Sequence, residues 1–206
     1  MYFLQKTFGI DTTNMSPFAS AILINKANIW FNTNWNVDVI QQTIDTVKSM
    51  PSWPYVSPED KNILDSLESF FATYSTSDKT WQIVASELSV VALDFLNIAD
   101  SMSYSGESGG ELAGGVARVM HGSSLLWTEK YPSIPNGDSR KNADAFVQVI
   151  QADAAGYIFG WFRAIKEEID QNGKLDIKNQ WKRIEKATNT GIEWSAAAML
   201  VPLVGV

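Results

Sequence analysis

The strongest candidate for a functional residue is Asp153. A helical period places its carboxylate among Phe146, Ile150 and Tyr157 on the most apolar face of its segment. A buried carboxylate needs hydrogen-bond or charge partners, since burial without them favours the protonated acid. Two interpretations stay open. Asp153 can act as a general acid or base or form the floor of a ligand pocket with Tyr157 and Trp161, or it can be a structural carboxylate bonded to an arginine, a tryptophan N–H or a helix N-terminus.

Two further carboxylates, Glu87 and Asp94, are seven residues apart and lie on the flank of the apolar arc of their own segment. We therefore predict that both are partly buried and that they form an internal acidic cluster with Asp153. Such a cluster could bind a metal or a cationic group, or carry out acid–base chemistry. The alternative is that these carboxylates pair with Arg118, Arg163 or a lysine, or that they lie exposed.

The other chemical motifs are weaker. His121 is the only histidine and can serve as a lone acid–base group or be an ordinary helix-surface residue, but it cannot build a zinc site with two or three imidazoles. The chain has no cysteine, which removes thiolate catalysis and cysteine zinc sites. Residues 106–110 match the letters G-x-S-x-G, yet a nucleophile elbow needs a preceding strand and the pattern there predicts a helix. We predict no metal, no cofactor and no catalytic residue.

These residues must be positioned by helices, and the segment 142–171 is predicted to be the buried central one. Its middle is apolar on every side, and residues 154–162 carry no charge. Small residues recur at every fourth position and leave a stripe on which another backbone can lie close: Ala152, Gly156, Gly160 and Ala164. We predict that this stripe packs against a helix at 111–131, where Gly114 and Gly115 offer a second smooth surface.

Apolar periodicity and helix-breaking residues predict an all-α fold, a single-domain helical bundle of about six to seven helices. No segment has the two-residue period of a strand. Residues 1–15 are predicted to be irregular, and the proline-rich residues 51–58 to form an extended link. The predicted helices 79–103, 111–131 and 142–171 should form the interior. The predicted helices are 17–31, 37–50, 58–74, 79–103, 111–131, 142–171 and 176–200.

The last predicted helix has two halves of different character. Its first half carries Trp181 opposite a row of lysines at four-residue steps, which includes Lys178, Lys182 and Lys186. Its second half runs into an apolar tail, 194–206, which begins at Trp194 and has no charged side chain. A basic amphipathic start followed by an apolar end can lie on a membrane surface or hold a partner. The alternative is a solvated lysine row and a tail packed into the bundle.

Composition limits the function. The net charge of −7 argues against nucleic-acid binding, which needs clustered basic residues. The N-terminus lacks a signal-peptide pattern and no uncharged apolar run reaches ~18 residues, so we expect a cytoplasmic protein, with a peripheral membrane location as the alternative. Eight tryptophans without a catalytic motif favour a non-enzymatic helical protein that binds a protein or a small apolar ligand. A membrane-docking protein and an enzyme built on buried carboxylates are the alternatives.

Overall fold

A computed structural model of the chain describes residues 39–103, 110–130 and 139–204. Within those ranges the chain forms six α-helices and two short 3₁₀ turns, at Trp53–Tyr55 and Ile177–Asn179, and it has no strand there. This confirms the predicted all-α fold. The helices are α1 (Val39–Lys48), α2 (Pro58–Thr73), α3 (Trp81–Ser101), α4 (Glu111–Lys130), α5 (Ser139–Asn172) and α6 (Gln180–Val204).

Some of the predicted segments lie outside the described residues. They include the irregular segment 1–15, the helix 17–31 and most of the loop that carries the G-x-S-x-G letters. The connection at 131–138 and the last two residues of the apolar tail are also outside them. The described structure does not test the predictions for these segments, so they remain predictions.

Side-chain caps fix the first residues of two helices, α2, which begins at the predicted residue 58, and α3, which begins two residues after its predicted start. The Ser57 hydroxyl accepts the Asp60 N–H at 3.0 Å at the start of α2, where Pro58 takes the first helical position. Thr80 caps α3 in the same way. After α5, Gly173 has a φ of 70°, a left-handed conformation that glycine adopts without steric cost and that commonly ends a helix.

The link between α1 and α2 was predicted to be extended. This prediction was wrong for its middle, because Trp53–Tyr55 forms a 3₁₀ turn. The Trp53 ring stacks on Phe162 of α5 with 5.8 Å between ring centroids, and the Lys61 ammonium lies 5.1 Å from the same ring. Packing of this large apolar ring against the central helix favours the tighter turn. The 3₁₀ turn therefore holds this proline-rich link against the bundle.

Helix α5 is the buried centre of the fold, as predicted. Every side chain from 149 to 158 is buried, and Phe146, Trp161 and Phe162 are fully enclosed. Helices α1, α3, α4 and α6 all pack against α5. Since burial of each large apolar side chain stabilises a fold by about 1.5–3 kcal/mol, this helix supplies much of the core.

The small-residue stripe of α5 packs against α6, so the prediction that it packs against α4 was wrong. A Cβ atom added to Gly156 would lie 2.8 Å from the Cα atom of Gly191, and one added to Gly160 would lie 2.9 Å from the Cα atom of Ala187. Helix α6 therefore has its own small residues at four-residue spacing, and the two stripes face each other. This makes α6 the principal partner of α5.

Helix α3 is less enclosed than predicted. Its buried side is narrow, and four apolar side chains of the described structure are 40–55% exposed on the other sides: Ile83, Val90, Leu93 and Ile98. Of the described helices, α3 is the one that is long and apolar enough to cross a membrane, with a third of its apolar window buried. This is weak evidence for a membrane span, because core helices of soluble proteins pass the same test.

Candidate functional site

A groove opens between α4 and α6 above the middle of α5. The Tyr157 hydroxyl donates to the Glu111 carbonyl oxygen at 3.2 Å, and the Ser123 hydroxyl donates to Asp153, so α4 runs antiparallel to α5. The glycine contacts described above make α6 antiparallel to α5 as well. Helices α4 and α6 are therefore two parallel walls with α5 as the floor of an open groove, whose volume is about 770 Å³.

The walls of the groove are mainly apolar. Val119 and Leu126 line it from α4, and Ile184 and Ile192 line it from α6. Trp181 forms a lip at one end of the groove and is 77% exposed. A concave volume of this size with apolar walls is typical of a small-molecule site.

The floor of the groove is formed by two polar residues of α5 that are one helical turn apart. Asp153 is only 6% exposed and accepts the hydrogen bond from Ser123. Tyr157 is fully buried, and its ring occupies the space that a side chain at Gly115 would need. Burial, and then the charge of Glu111, raise the pKa of the Tyr157 phenol, which therefore stays a hydrogen-bond donor at neutral pH.

A buried ion network centred on Arg183, which is 2% exposed, lies beside the groove and reaches it through Glu111. Its Nε and Nη2 atoms donate to the two carboxylate oxygens of Glu111 at 2.9 and 2.5 Å, and its Nη1 donates to Glu168 at 2.7 Å. The Trp161 indole N–H adds a bond to Glu111 at 3.2 Å. Burial disfavours the guanidinium charge, but the bonds to both carboxylates outweigh it and raise the pKa of Arg183.

Glu168 extends this network to the segment before α6. Besides Arg183, its carboxylate accepts the Asp176 backbone N–H at 2.7 Å and the Asn179 side-chain amide at 3.0 Å. Burial acts to raise the pKa of Glu168, but these donors and the arginine together lower it. The network therefore ties α4, α5 and the start of α6 into one arrangement and fixes the separation of the groove walls.

Another buried carboxylate, that of Asp60 in α2, caps the N-terminus of α4 near the Glu111 end of the groove. It is fully buried and accepts the Ala113 N–H and the Ser57 hydroxyl, each at 2.9 Å. Burial raises the pKa of Asp60 to about 6, although these donors and the Gly110 N–H favour the charged form. Asp60 therefore titrates in a range where an ordinary aspartate is fully ionised.

We predict that Asp60 makes the fold more stable on mild acidification. Its pKa is about 6 in the folded chain against 3.8 for the ordinary group, so the folded state binds more protons between these values. The contribution of Asp60 to the free energy of unfolding should then rise by about 2 kcal/mol between pH 7 and pH 4.5, and should be lost again as the pH rises through 6. Urea denaturation of the wild type and Asp60→Asn at both pH values measures this contribution as a difference. An identical pH dependence in the two proteins would contradict the prediction.

The acidic cluster predicted from the sequence does not form. Asp94 is exposed, so its predicted partial burial was wrong, because the buried side of α3 is narrower than the apolar arc suggests. Glu87 is half-buried and binds Lys79 and the Tyr74 hydroxyl, each at 2.7 Å, and these bonds lower the pKa of Glu87. Asp153 lies on another helix. Among the described residues, no group of three or more histidines, aspartates or glutamates could hold a metal ion.

His121 and Trp161 lie outside the groove. The His121 Nδ1 atom is 3.2 Å from the Ser89 hydroxyl of α3, so the imidazole faces that helix, while its neighbours Gly122 and Ser123 line the groove. Trp161 supports the ion network from the core. Of the residues predicted to bind a ligand, Asp153 and Tyr157 are the two that the structure brings together in the groove.

The residues predicted to form a membrane or partner surface are separated by the structure. Trp181 is exposed, whereas Trp194 is half-buried and stacks on Phe159 with 5.5 Å between ring centroids. The beginning of the apolar tail therefore packs on α5. In the lysine row, the Lys186 ammonium pairs with the Glu167 carboxylate at 2.5 Å. All three lysines of that row are exposed: Lys178, Lys182 and Lys186.

Four charged residues at or near the groove were missed by the sequence analysis: Asp60, Glu111, Glu168 and Arg183. A signal existed for Arg183, because it precedes Ala187 and Gly191 at four-residue steps and so falls on the small-residue face of α6. A long charged side chain on a face that packs closely must be buried with partners. The partners themselves lie on other helices and have no sequence signal of their own.

The fold and the groove define the class of the protein as an all-α bundle with an interhelical groove. No protein-family model, no curated protein and no solved structure matches the chain. The function must therefore be inferred from the shape and the charges of the described residues.

Proposed function

We propose that the protein is a non-enzymatic binding protein that holds a small, mainly apolar ligand in the groove between α4 and α6. The observation that supports this function is the groove itself, with its volume of about 770 Å³ and its apolar walls. Small-molecule sites commonly combine such walls with a few polar groups that fix the ligand's orientation. Asp153 and Tyr157 are the polar residues at the floor of this groove.

Binding is favoured over catalysis because the polar groups around the groove are engaged in structural bonds. Tyr157 donates to the Glu111 backbone, and the Glu111 carboxylate is bound by Arg183 and Trp161. These bonds hold the walls apart in a fixed arrangement. A preformed groove loses less conformational entropy when a ligand binds, which increases affinity.

The proposal predicts that a bulky residue at Gly122 blocks binding without harming the fold. Gly122 lines the groove, and a Cβ atom built there meets no other atom within 4 Å. We expect Gly122→Trp to weaken binding of the neutral apolar dye N-phenyl-1-naphthylamine at least ~10-fold, because the indole would occupy the ligand's space. Dye fluorescence measures the affinity and circular dichroism checks the fold.

Ser66→Trp is the matched control, because it adds the same side chain at an exposed position of α2 away from the groove. The control should bind the dye as the wild type does. Equal binding by wild type and Gly122→Trp, with both folded, would show that the groove is not the site.

A second function, docking to a membrane surface, is supported by exposed residues around the start of α6, one of which, Trp181, also lines the groove. Ile177 and Trp181 are 65% and 77% exposed, and Lys178 and Lys182 lie beside them. Exposed apolar residues among lysines are typical of helices that lie at a membrane surface. Flotation with anionic vesicles separates the two functions, since the double change Ile177→Ser and Trp181→Ser should abolish flotation only if these residues bind lipid.

A further inference from the structure

We propose that the ligand of the groove carries a planar aromatic ring, which stacks on the exposed indole of Trp181 at the lip. This inference rests on the proposed function and names the chemical class of the ligand. It is drawn from the position of Trp181 on α6, from its exposure, and from the ring contacts that the other described tryptophans make.

Trp181 lies at the start of the face of α6 that lines the groove. The later residues of α6 on this wall follow it at steps of three or four, which is the spacing of one helix face. They are Ile184, Thr188, Ile192 and Ser195. The indole therefore belongs to the wall of the groove, and its 77% exposure leaves most of its surface open to a ligand.

Trp181 differs from the other tryptophans whose side chains the structure describes. It makes no ring contact within the described part of the chain, although tryptophan is highly buried on average. A ligand ring at the lip would supply the contact that Trp181 lacks. The other four tryptophans each pack on a phenylalanine ring, with 5.2 to 6.3 Å between centroids: Trp53 on Phe162, Trp81 on Phe146, Trp161 on Phe162 and Trp194 on Phe159.

The aliphatic walls of the groove cannot select an aromatic ligand, so this selection would come from Trp181. Val119, Leu126 and Ile184 gain about as much from an alicyclic body as from an aromatic one of the same size, because burial depends on apolar area. An offset-stacked pair of aromatic rings adds about two- to tenfold in affinity beyond the effect of that area. A preference for a planar ring is therefore the property that Trp181 should confer.

Displacement of N-phenyl-1-naphthylamine by 2-naphthol and by decahydro-2-naphthol tests this inference. The two compounds share one bicyclic frame and one hydroxyl, but only 2-naphthol is planar and aromatic. We expect wild type to bind 2-naphthol about threefold more tightly than decahydro-2-naphthol. Trp181→Leu should remove this preference and change the affinity for decahydro-2-naphthol by less than about twofold, because leucine keeps an apolar side chain at the lip. The affinity for the dye is measured separately for each variant.

Two further variants show whether the aromatic ring itself is responsible. Trp181→Phe should keep a preference for 2-naphthol, because phenylalanine also offers a ring face. Ile177→Ser removes another exposed apolar side chain near the start of α6, one that does not line the groove, so it should alter neither affinity. Since Trp181 and Ile177 are both largely exposed, these variants should fold as the wild type does, which circular dichroism checks.

The outcomes separate this inference from the proposed function. If the dye binds but wild type shows no preference for 2-naphthol, or if Trp181→Leu keeps the preference, the ligand is not selected by stacking and the inference is overturned. If the dye does not bind wild type at all, the proposed function fails as well. A nuclear magnetic resonance titration of wild type needs no variant for the readout: the Trp181 indole N–H resonance should shift as 2-naphthol is added, and an unchanged resonance at saturation contradicts the inference.

Discussion

Replacement of Arg183 by methionine is expected to lower the free energy of unfolding by roughly 3–5 kcal/mol. Methionine fills a similar volume but leaves the carboxylates of Glu111 and Glu168 buried without the guanidinium that binds both. An uncompensated buried charge is among the most destabilising changes in a protein. Urea denaturation followed by tryptophan fluorescence measures the loss.

Two further variants establish that the loss comes from burial of charge. Arg163→Met removes an arginine whose side chain is 70% exposed and paired only at the surface, so it should change stability by no more than about 0.5 kcal/mol. Combining Arg183→Met with Glu111→Gln and Glu168→Gln should recover part of the loss, because no unpaired charge remains. A loss below about 1 kcal/mol for Arg183→Met alone would contradict the buried network.

A methyl group at Gly156 is expected to destabilise the fold by about 2 kcal/mol, and a larger side chain by more. A Cβ atom at Gly156 would lie 2.8 Å from the Gly191 Cα atom and 2.9 Å from the Thr190 carbonyl oxygen. Both are backbone atoms, which cannot rotate away, so α5 and α6 would have to separate. Urea denaturation of Gly156→Ala measures the effect.

The matched control is Gly122→Ala, the same chemical change at a helical glycine with open space around it. There the substitution should stabilise the protein by about 0.5–1 kcal/mol, because alanine loses less backbone entropy than glycine on forming a helix. The two changes are therefore expected to have opposite signs. Stabilisation by Gly156→Ala would show that the helices do not pack as closely as described.

The positions of the described helices could be predicted from the sequence because their signals are local. The Ser57 cap, the end of α5 at Gly173 and the all-round apolar character of α5 each depend on residues close together in the chain. Burial of Asp153 followed from the same local geometry. Periodicity alone was enough for these features, since a helix face is defined within a few turns.

The pairing of helices could not be predicted in the same way. The stripe at Gly156 and Gly160 showed that another helix must lie close, yet both α4 and α6 carry small residues and the pattern did not distinguish them. Arg183 and Glu111 are 72 residues apart, so their contact exists only after α4 and α6 have packed on α5. A helix face is visible in the sequence, but its partner depends on tertiary packing.

The groove was foreseen only in part. The sequence placed Asp153 and Tyr157 on one apolar face and allowed a pocket floor there, but it gave no indication that α4 and α6 form the walls. For Asp94 the sequence analysis predicted partial burial, but the residue is exposed. A helical wheel exaggerates burial when the packed side of the helix is narrow. Volume and depth are properties of several helices together, so they required the structure.

The most direct test of the groove as a ligand site is nuclear magnetic resonance mapping of backbone amide shifts while N-phenyl-1-naphthylamine is added to the full chain. We predict saturable shifts on both walls, at Gly115 and Gly122 of α4 and at Ile184 and Ile192 of α6. Shifts confined to another surface, such as the exposed apolar side of α3, would contradict the proposed function.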